Sequence, residues 1–297
     1  MNGYKSGYVG IVGVPNVGKT TLLNALIGQK IAIISPKPQT TRGKILGIMT
    51  DEECQAVFLD TPGFHKPKNK LGENMIKAVN ETISEADFLI CVVEPDTEIR
   101  NSEEEVINKG ANLPAILVIN KIDTVKKDEL LPVIDKYSKI RDFEKIIPLS
   151  AKTGDGIDLL KSAIKELLPE GPMYYPEEMV TDQPEKQIVA EIIREKTLLY
   201  LDKEVPHGIA VEIVKMKEKE NVTSISANIY CEKDSHKGII IGAGGRTLKK
   251  IGERARCDCE RMLDQKVFLE LWVKVKKDWR NSNFLMKEFG LDNKPNM

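Results

Sequence analysis

No apolar stretch in the 297 residues approaches the roughly 18 that a membrane-spanning helix requires; the longest runs, such as AILVI at 115–119, are strand-sized. The opening MNGYKSGYVG lacks the charged-then-apolar layout of a secretory signal. Cysteine is sparse and oddly numbered: Cys54, Cys91, Cys231, Cys257 and Cys259 show no framework spacing, CDC at 257–259 is not a C-x-x-C pair, and no histidine stands close by. These absences set aside a membrane span, a disulfide scaffold and a zinc site, and leave reduced thiols as the expected state. Internal repeats and low-complexity segments are also missing. The net charge is only −1, with 22 Lys+Arg against 18 Asp+Glu from residue 184 onward and 22 against 27 before it. That asymmetry matters only where the positive charge clusters.

What is present is a soluble-protein composition, 41% hydrophobic and 30% charged, in a length suited to two domains. Short Val/Ile-rich runs at 8–13, 54–60, 88–94, 114–120 and 145–150 alternate with helical patterns, for example 71–87 and 156–168. Continuous rather than alternating apolar runs predict strands buried on both faces. The first part is therefore expected as an α/β domain with a mostly parallel sheet and helices on both faces, over 5–172. A hairpin of 44–50 with 54–60 would add one antiparallel strand. LLPEGPMYYPEEMVTDQPEK (167–186) carries four prolines and a glycine, and a linker is placed within it, at 173–184. The pattern then changes to a helix (about 185–203), two strands (208–216, 223–231), a Gly-rich loop, a helix (about 246–263) and a strand (267–276). This predicts a smaller α+β domain over 185–278, with a tail at 279–297.

GVPNVGKT (13–20) satisfies G-x-x-x-x-G-K-[ST] and stands between a strand and a helix, where a phosphate-binding loop must. Glycines let backbone N–H groups turn toward anionic oxygens, and the helix start adds its partial positive charge. Lys19 would reach the β and γ phosphates, and Thr20 would bind Mg²⁺. NKID (120–123) closes a buried strand at the sheet's carboxyl edge. Asp123 can accept two hydrogen bonds from the N1–H and N2–H₂ edge of guanine, which adenine does not offer. Asn120 would brace the loops, and the Lys121 stem would cover the base. SAK (150–152) would offer N–H groups to the guanine oxygen. DTPG (60–63) ends another strand: Asp60 suits a magnesium-side carboxylate, and the Gly63 N–H could sense the γ-phosphate. The polar loop SPKPQTTRG (35–43) holds Thr41, which would close over Mg²⁺ with GTP in place. The expected nucleotide contacts are thus Gly13, Val14, Pro15, Asn16, Val17, Gly18, Lys19 and Thr20; Asp60, Thr61, Pro62, Gly63 and Phe64; Asn120, Lys121, Ile122 and Asp123; and Ser150, Ala151 and Lys152.

In the second domain, HKGIIIGAGGRTLKKIGERAR (236–256) contains G-x-x-G at Gly242-Ala243-Gly244-Gly245 ahead of an amphipathic helix. Leu248, Ile251, Ala255 and Met262 share one helical face, and Arg246, Lys250 and Arg254 another. Six basic residues and one acid fall within 237–256. Such a loop lets a nucleic-acid backbone approach closely, as in a KH module clamping about four nucleotides. The candidate RNA contacts are Gly242, Ala243, Gly244, Gly245, Arg246, Lys249, Lys250 and Arg254.

The phosphate loop, DTPG, NKID and SAK together resemble the translation-factor-like GTPases. With the type II KH element order, the chain is similar to the Era family of bacterial GTPases over essentially its whole length. The segments 65–87 and 273–291 share the likeness. The resemblance implies a GTP/GDP switch that uses Mg²⁺. It implies binding to the 3′ region of 16S rRNA, action in 30S subunit assembly, a cytoplasmic location and some peripheral membrane association. Nothing in the residues suggests an obligate dimer, so a monomer is expected. Phe64 stands where many small GTPases carry the water-orienting glutamine, which implies hydrolysis without it. In related GTPases an asparagine at the position of Asn16 helps hold a K⁺ ion that acts like an arginine finger. Lys19, Thr41, Asp60, Gly63 and Asn16 are accordingly the expected catalytic group, with Thr20, Thr41 and Asp60 at the metal. The KH loop departs from many relatives in carrying Ala243-Gly244 rather than a basic residue between its outer glycines, a role left to Arg246 or Lys249. A second reading stands beside the switch: a membrane or cell-cycle interaction module in which nucleotide only stabilises the fold. The basic GxxG helix is the feature such a module would not need.

Overall fold

A computed structural model of the protein describes residues 3–37, 39–64, 66–202 and 205–291. Pro38 of the 35–43 loop, His65 at the head of 65–87, Lys203 at the end of the expected helix and residues 292–297 of the expected tail lie outside the described residues. The chain forms two compact units.

The first unit is built on β1 (Lys5–Val12), α1 (Lys19–Ile27), β2 (Ile45–Thr50), β3 (Cys54–Asp60), α2 (Lys70–Glu85), β4 (Phe88–Val93), α3 (Asn101–Lys109), β5 (Ala115–Ile119), α4 (Leu130–Ser138), β6 (Lys145–Pro148) and α5 (Ile157–Leu167). The sheet order is β2-β3-β1-β4-β5-β6. Only β2 runs antiparallel, as the hairpin partner of β3. Every residue of β3, β4 and β5 is buried. The period of two divides these strands between two cores. Val9, Ile11, Phe88, Ile90, Val92, Ile116 and Val118 pack with α1 and α5. Val12, Leu89, Cys91, Val93, Leu117 and Ile119 pack with residues of α2, α3 and α4. Strands β1, β4 and β5, packed between two helical layers, and β3, covered on its second face by β2, Tyr175 and Met179, explain the uninterrupted apolar runs.

No helix or strand forms between α5 and residue 184, but the segment is fixed to the first unit. Gln55, fully buried, accepts from the N–H groups of Tyr174 and Tyr175 and donates to the Tyr175 carbonyl. Ile48 N–H donates to Val180 O, and Tyr174 stacks on Tyr8.

The second unit contains, among the described residues, 33–37, 39, 40, 69–71 and the chain from 183 onward. Its elements are α6 (Glu185–Leu199), β7 (Ala210–Lys219), β8 (Val222–Cys231), α7 (Asp234–Ile241), α8 (Arg246–Leu263), β9 (Val267–Val275) and α9 (Asn283–Glu288). The sheet order is β7-β8-β9, with β7/β8 antiparallel and β8/β9 parallel. Helix–strand–strand–helix–helix–strand with this pairing is the type II KH arrangement. One face of the sheet packs against the helices through Ile213, Ile225, Ala227, Ile229 and Val273, with Ile193, Ile251 and Ala255 opposite. Within this unit α6 holds residues 33–40. Ile34 N–H donates to Glu195 Oε1 at 3.0 Å, and the buried Arg194 guanidinium donates to Thr40 O. The described part of the expected tail is not loose. Trp279 is fully buried, donates Nε1–H to Gly208 O at 2.9 Å, and packs edge-on against Phe289.

Candidate nucleotide site and nucleic-acid interface

In the first unit Gly13, Asp60, Glu94, Asn120 and Ser150 each lie at or just beyond the carboxyl end of a parallel strand, so the topology gathers them on one rim of the sheet. The phosphate loop turns sharply at Gly18, whose φ is +95°. A Cβ there would stand 2.3 Å from Asn120 Nδ2, so the position requires glycine twice over. Asn120 itself is buried. It donates to Val17 O at 2.8 Å and accepts from Ala151 N–H at 3.0 Å, tying NKID to the phosphate loop and to SAK.

Lys19 is buried, and its ammonium donates to the Gly13 and Val14 carbonyls at 3.0 Å. Burial pulls its pKa down to about 8, against the pull of Asp60. The Thr20 hydroxyl donates to Asp60 Oδ2 at 2.7 Å and lies 2.9 Å from Thr41 Oγ1. Asp60 Oδ1 is buried without a hydrogen-bond partner, and burial pushes that carboxyl up to about 6. Three hydroxyl and carboxylate oxygens meeting beside an unsatisfied buried oxygen fit a hard, oxygen-seeking cation such as Mg²⁺. Thr40, by contrast, spends its hydroxyl on the Lys37 and Ser35 carbonyls.

Beyond Asp60, the Thr61 hydroxyl is buried and bonds Ile11 O. Gly63 lies so close to Pro15 that a Cβ would stand 2.5 Å from its Cα, and Phe64 N–H donates to Gly13 O. The Phe64 ring is buried in the core shared with α2 to α4, with the Lys109 ammonium 5.2 Å from its centre. Asp123 is exposed. It accepts from the Ser150 hydroxyl at 2.7 Å, which holds its pKa below the usual carboxylate range. Ile122, Asp123, Ser150 and Thr153 border a cleft of about 420 Å³. Lys121 takes a left-handed conformation, donates to Asn16 O at 2.7 Å, and pairs with Glu94. Glu94 belongs to no motif in the sequence; only the strand alignment reveals it. Asn16 and Lys152 are exposed on the rim.

In the second unit, Gly242, Gly244 and Gly245 all have positive φ, and Cβ atoms at Gly244 and Gly245 would meet nothing within 4 Å. The loop's backbone is therefore open to approach at the start of the 18-residue α8. Beside it runs a cleft of about 430 Å³ lined by Gly245, Leu248, Lys249, Gly252, Arg256 and Leu271, among others. Lys249, one of the candidate RNA contacts, lines it. Lys250 and Arg254 do not line the cleft, and the Arg254 guanidinium lies over the Tyr200 ring at 5.4 Å. Arg256, which the four-residue spacing does not single out, does line it. The cleft follows the i, i+3, i+4, i+7 stripe that begins at Gly245, one turn-edge away from the stripe of Arg246. Arg246 folds back onto Ala243 O. Four of the five cysteines are buried, and none of the described residues forms a metal-ligating cluster.

Residues 8–121 match the family described as a 50S ribosome-binding GTPase, and residues 204–280 match the KH domain family. The chain is 55% identical over 290 residues to the GTPase Era of Ruminiclostridium cellulolyticum, covering 97% of each. The chain belongs to the Era GTPase family. The Era of Clostridioides difficile is 51% identical over 296 residues, with 98% of this chain and all of that one covered. An Era solved with MgGDPNP and nucleotides 1506–1542 of 16S ribosomal RNA superposes with a TM-score of 0.94 at 42% identity, over 97% of this chain and 99% of the other. A variant of Aquifex aeolicus Era bound to GDP and AlF4⁻ gives 0.93 with the same identity and coverage. As an Era GTPase, the protein hydrolyses GTP and pairs a P-loop GTPase domain with a KH domain.

Proposed function

We propose that this Era GTPase uses the GTP cycle to govern the binding of its KH unit to the single-stranded 3′ region of 16S rRNA during 30S subunit assembly in the cytoplasm. The observation that carries the RNA half is the open, three-glycine turn at 242–245 leading into α8 beside a cleft lined by Lys249 and Arg256. Backbone N–H groups at the head of a helix take phosphates, and the apolar cleft takes bases. The solved Era with bound 16S nucleotides supports the same assignment.

In the nucleotide site, Lys19 would leave the Gly13 and Val14 carbonyls for the β and γ phosphates. Thr20, Thr41 and Asp60 would hold Mg²⁺, whose positive charge would offset the negative charge of the phosphates. Asp123 would read guanine through two N–H donors, with Ser150 fixing the carboxylate plane; the Ala151 N–H, bonded here to Asn120 Oδ1, would have to leave that partner to reach the base oxygen. Lys121, set by Glu94 and Asn16 O, would lie over the ring. Phe64 is locked in the core, so the attacking water is not positioned by that side chain. Asn16 is the proposed K⁺ ligand. Boundaries of 5–172, 173–184 and 185–278 for GTPase domain, linker and KH domain complete the reading.

The test is a footprint on 16S rRNA with a non-hydrolysable GTP analogue and with GDP. Protection confined to the 3′ region, and differing between nucleotides, is expected. Uniform or absent protection, with GTP still bound, would leave a nucleotide-stabilised adaptor instead.

A further inference from the structure

The KH sheet has a second face. Along β9, Leu269 and Leu271 point toward the helices and border the α8 cleft, while Phe268 and Trp272 alternate to the opposite side. There they are 57% and 61% exposed. The register fixes their neighbours: Lys217, Ser224 and Phe268 form one row across the strands, and Asn228 and Trp272 share another. The same face carries Lys215, Lys219 and Lys274 against the acids Glu212 and Glu270. Glu212 already accepts from the Tyr230 hydroxyl and the Asn228 amide, which uses much of its charge internally.

We propose that this outer face is a second single-stranded RNA surface, on which bases flanking those in the α8 cleft stack against Trp272 and Phe268 while lysines of β7 and β9 meet the phosphates. The proposal rests on the reading that the α8 cleft takes RNA, and extends it around the edge strand. Three observations favour RNA as the occupant. The aromatics stand four residues apart on one strand, about 13 Å, so each is a separate platform rather than a continuous apolar patch. Serines 224 and 226 make the middle strand low, as a flat ring requires. The lysines outnumber the acids, and β9 is shared with the cleft, so a strand leaving the cleft has only one edge to cross. Sheet-borne aromatics that stack successive bases are an established way to hold single-stranded RNA. A docking protein would favour a contiguous apolar centre, which Glu270 and the serines interrupt here.

Tryptophan emission supplies the readout. The chain has two tryptophans, and Trp279 is buried, so Trp272 is the solvent-facing reporter. The full-length protein is titrated with two RNAs from the 3′ end of 16S rRNA, one of about five nucleotides, enough for the cleft, and one of about twelve. The longer RNA should bind more tightly and quench Trp272, and the shorter should bind without quenching. Phe268→Thr with Trp272→Thr, both compatible with an exposed strand, should weaken the longer RNA by about tenfold or more and leave the shorter unchanged. Lys215→Gln with Lys217→Gln should lower the salt dependence of the longer RNA alone. Equal affinity for the two RNAs with no quenching overturns the proposal while the cleft reading stands. Failure of the wild type to bind either RNA removes both. Quenching by anionic phospholipid vesicles in place of RNA, or equal losses for both RNAs in the aromatic variant, also overturns it.

Discussion

Thr20 and Asp60 are joined by a 2.7 Å hydrogen bond to one carboxylate oxygen, while the other oxygen of Asp60 is buried and unpaired. An unsatisfied buried oxygen costs free energy that a cation would recover. Asp60→Asn removes the charge and keeps the shape. The variant should still bind GDP, but the Mg²⁺ concentration that supports GTP hydrolysis should rise by about 10- to 100-fold. A Mg²⁺ titration of turnover checks this; an unchanged requirement would remove Asp60 from the metal.

Asp123 is exposed, with a depressed pKa caused first by the Ser150 hydroxyl. It is ready to accept from a purine edge without being desolvated beforehand. Asp123→Asn replaces one acceptor with a donor. GTP affinity should fall by about 10- to 100-fold, the worth of a charged hydrogen bond, and xanthine nucleotides should gain. Competition binding with GTP and XTP measures the exchange; retained guanine selectivity contradicts the assignment.

The lysine beside that aspartate is held in a way no motif announces. Lys121 bridges Asn16 O and Glu94, and both partners of the ion pair are about a third exposed. Pairs of this exposure contribute little to stability. Glu94→Gln should therefore leave the melting temperature nearly unchanged but free the Lys121 stem. GDP dissociation should quicken several-fold, measured with a fluorescent nucleotide. A large loss of stability with an unchanged off-rate would make Glu94 structural.

These contrasts show what was legible beforehand. The parallel sheet and the hairpin followed from strand-sized apolar runs and glycine punctuation, because burial on two faces leaves a continuous pattern; the pattern of the second unit missed α7, whose eight residues end in an apolar run beside the Gly-rich loop. That the phosphate loop, Asp60, Asn120 and Ser150 share one rim was legible, because each motif stands at the end of an apolar run and the strands of a parallel sheet end on the same side. Glu94 and Gln55 were not, since each acts through a neighbour brought close by sheet order rather than by sequence distance. The basic stripe of α8 was only half legible. Periodicity places Lys250 and Arg254 together, but it does not say which stripe faces the cleft, and Tyr200 occupies Arg254. The packing of the tail at 279–297 was not legible, because a single Trp carries no periodic signal, yet Trp279 is among the most buried side chains.

The two outer glycines of the KH loop differ in what substitution would do. A Cβ at Gly242 would stand 2.2 Å from Thr247 Oγ1, whereas Gly245 opens to solvent. Gly242→Asp should thus disturb the start of α8 as well as repel phosphate. Gly245→Asp acts chiefly through charge and backbone strain, at a cost on the order of 1 kcal/mol. It should abolish most RNA affinity while GTP binding and the overall fold persist. Filter binding to RNA beside a nucleotide titration separates these; parallel loss of both would indicate misfolding.

The proposed potassium role of Asn16 gains its point from the contrast with Phe64. Phe64 is buried, with its N–H bonded to Gly13 O, so that position offers no group to the attacking water. Asn16 sits exposed on the phosphate loop with φ of +69°, its carbonyl fixed by Lys121. Its side-chain oxygen is therefore free to serve a monovalent cation near the phosphates, where positive charge stabilises the developing negative charge of transfer. Hydrolysis should be slow in NaCl and faster in KCl, by up to about 10²-fold, the usual worth of one well-placed electrostatic group. Asn16→Ala should erase the difference between the salts and leave GDP affinity intact. Turnover measured at equal ionic strength in the two salts decides it: matching rates for the wild type mean that no potassium ion takes part.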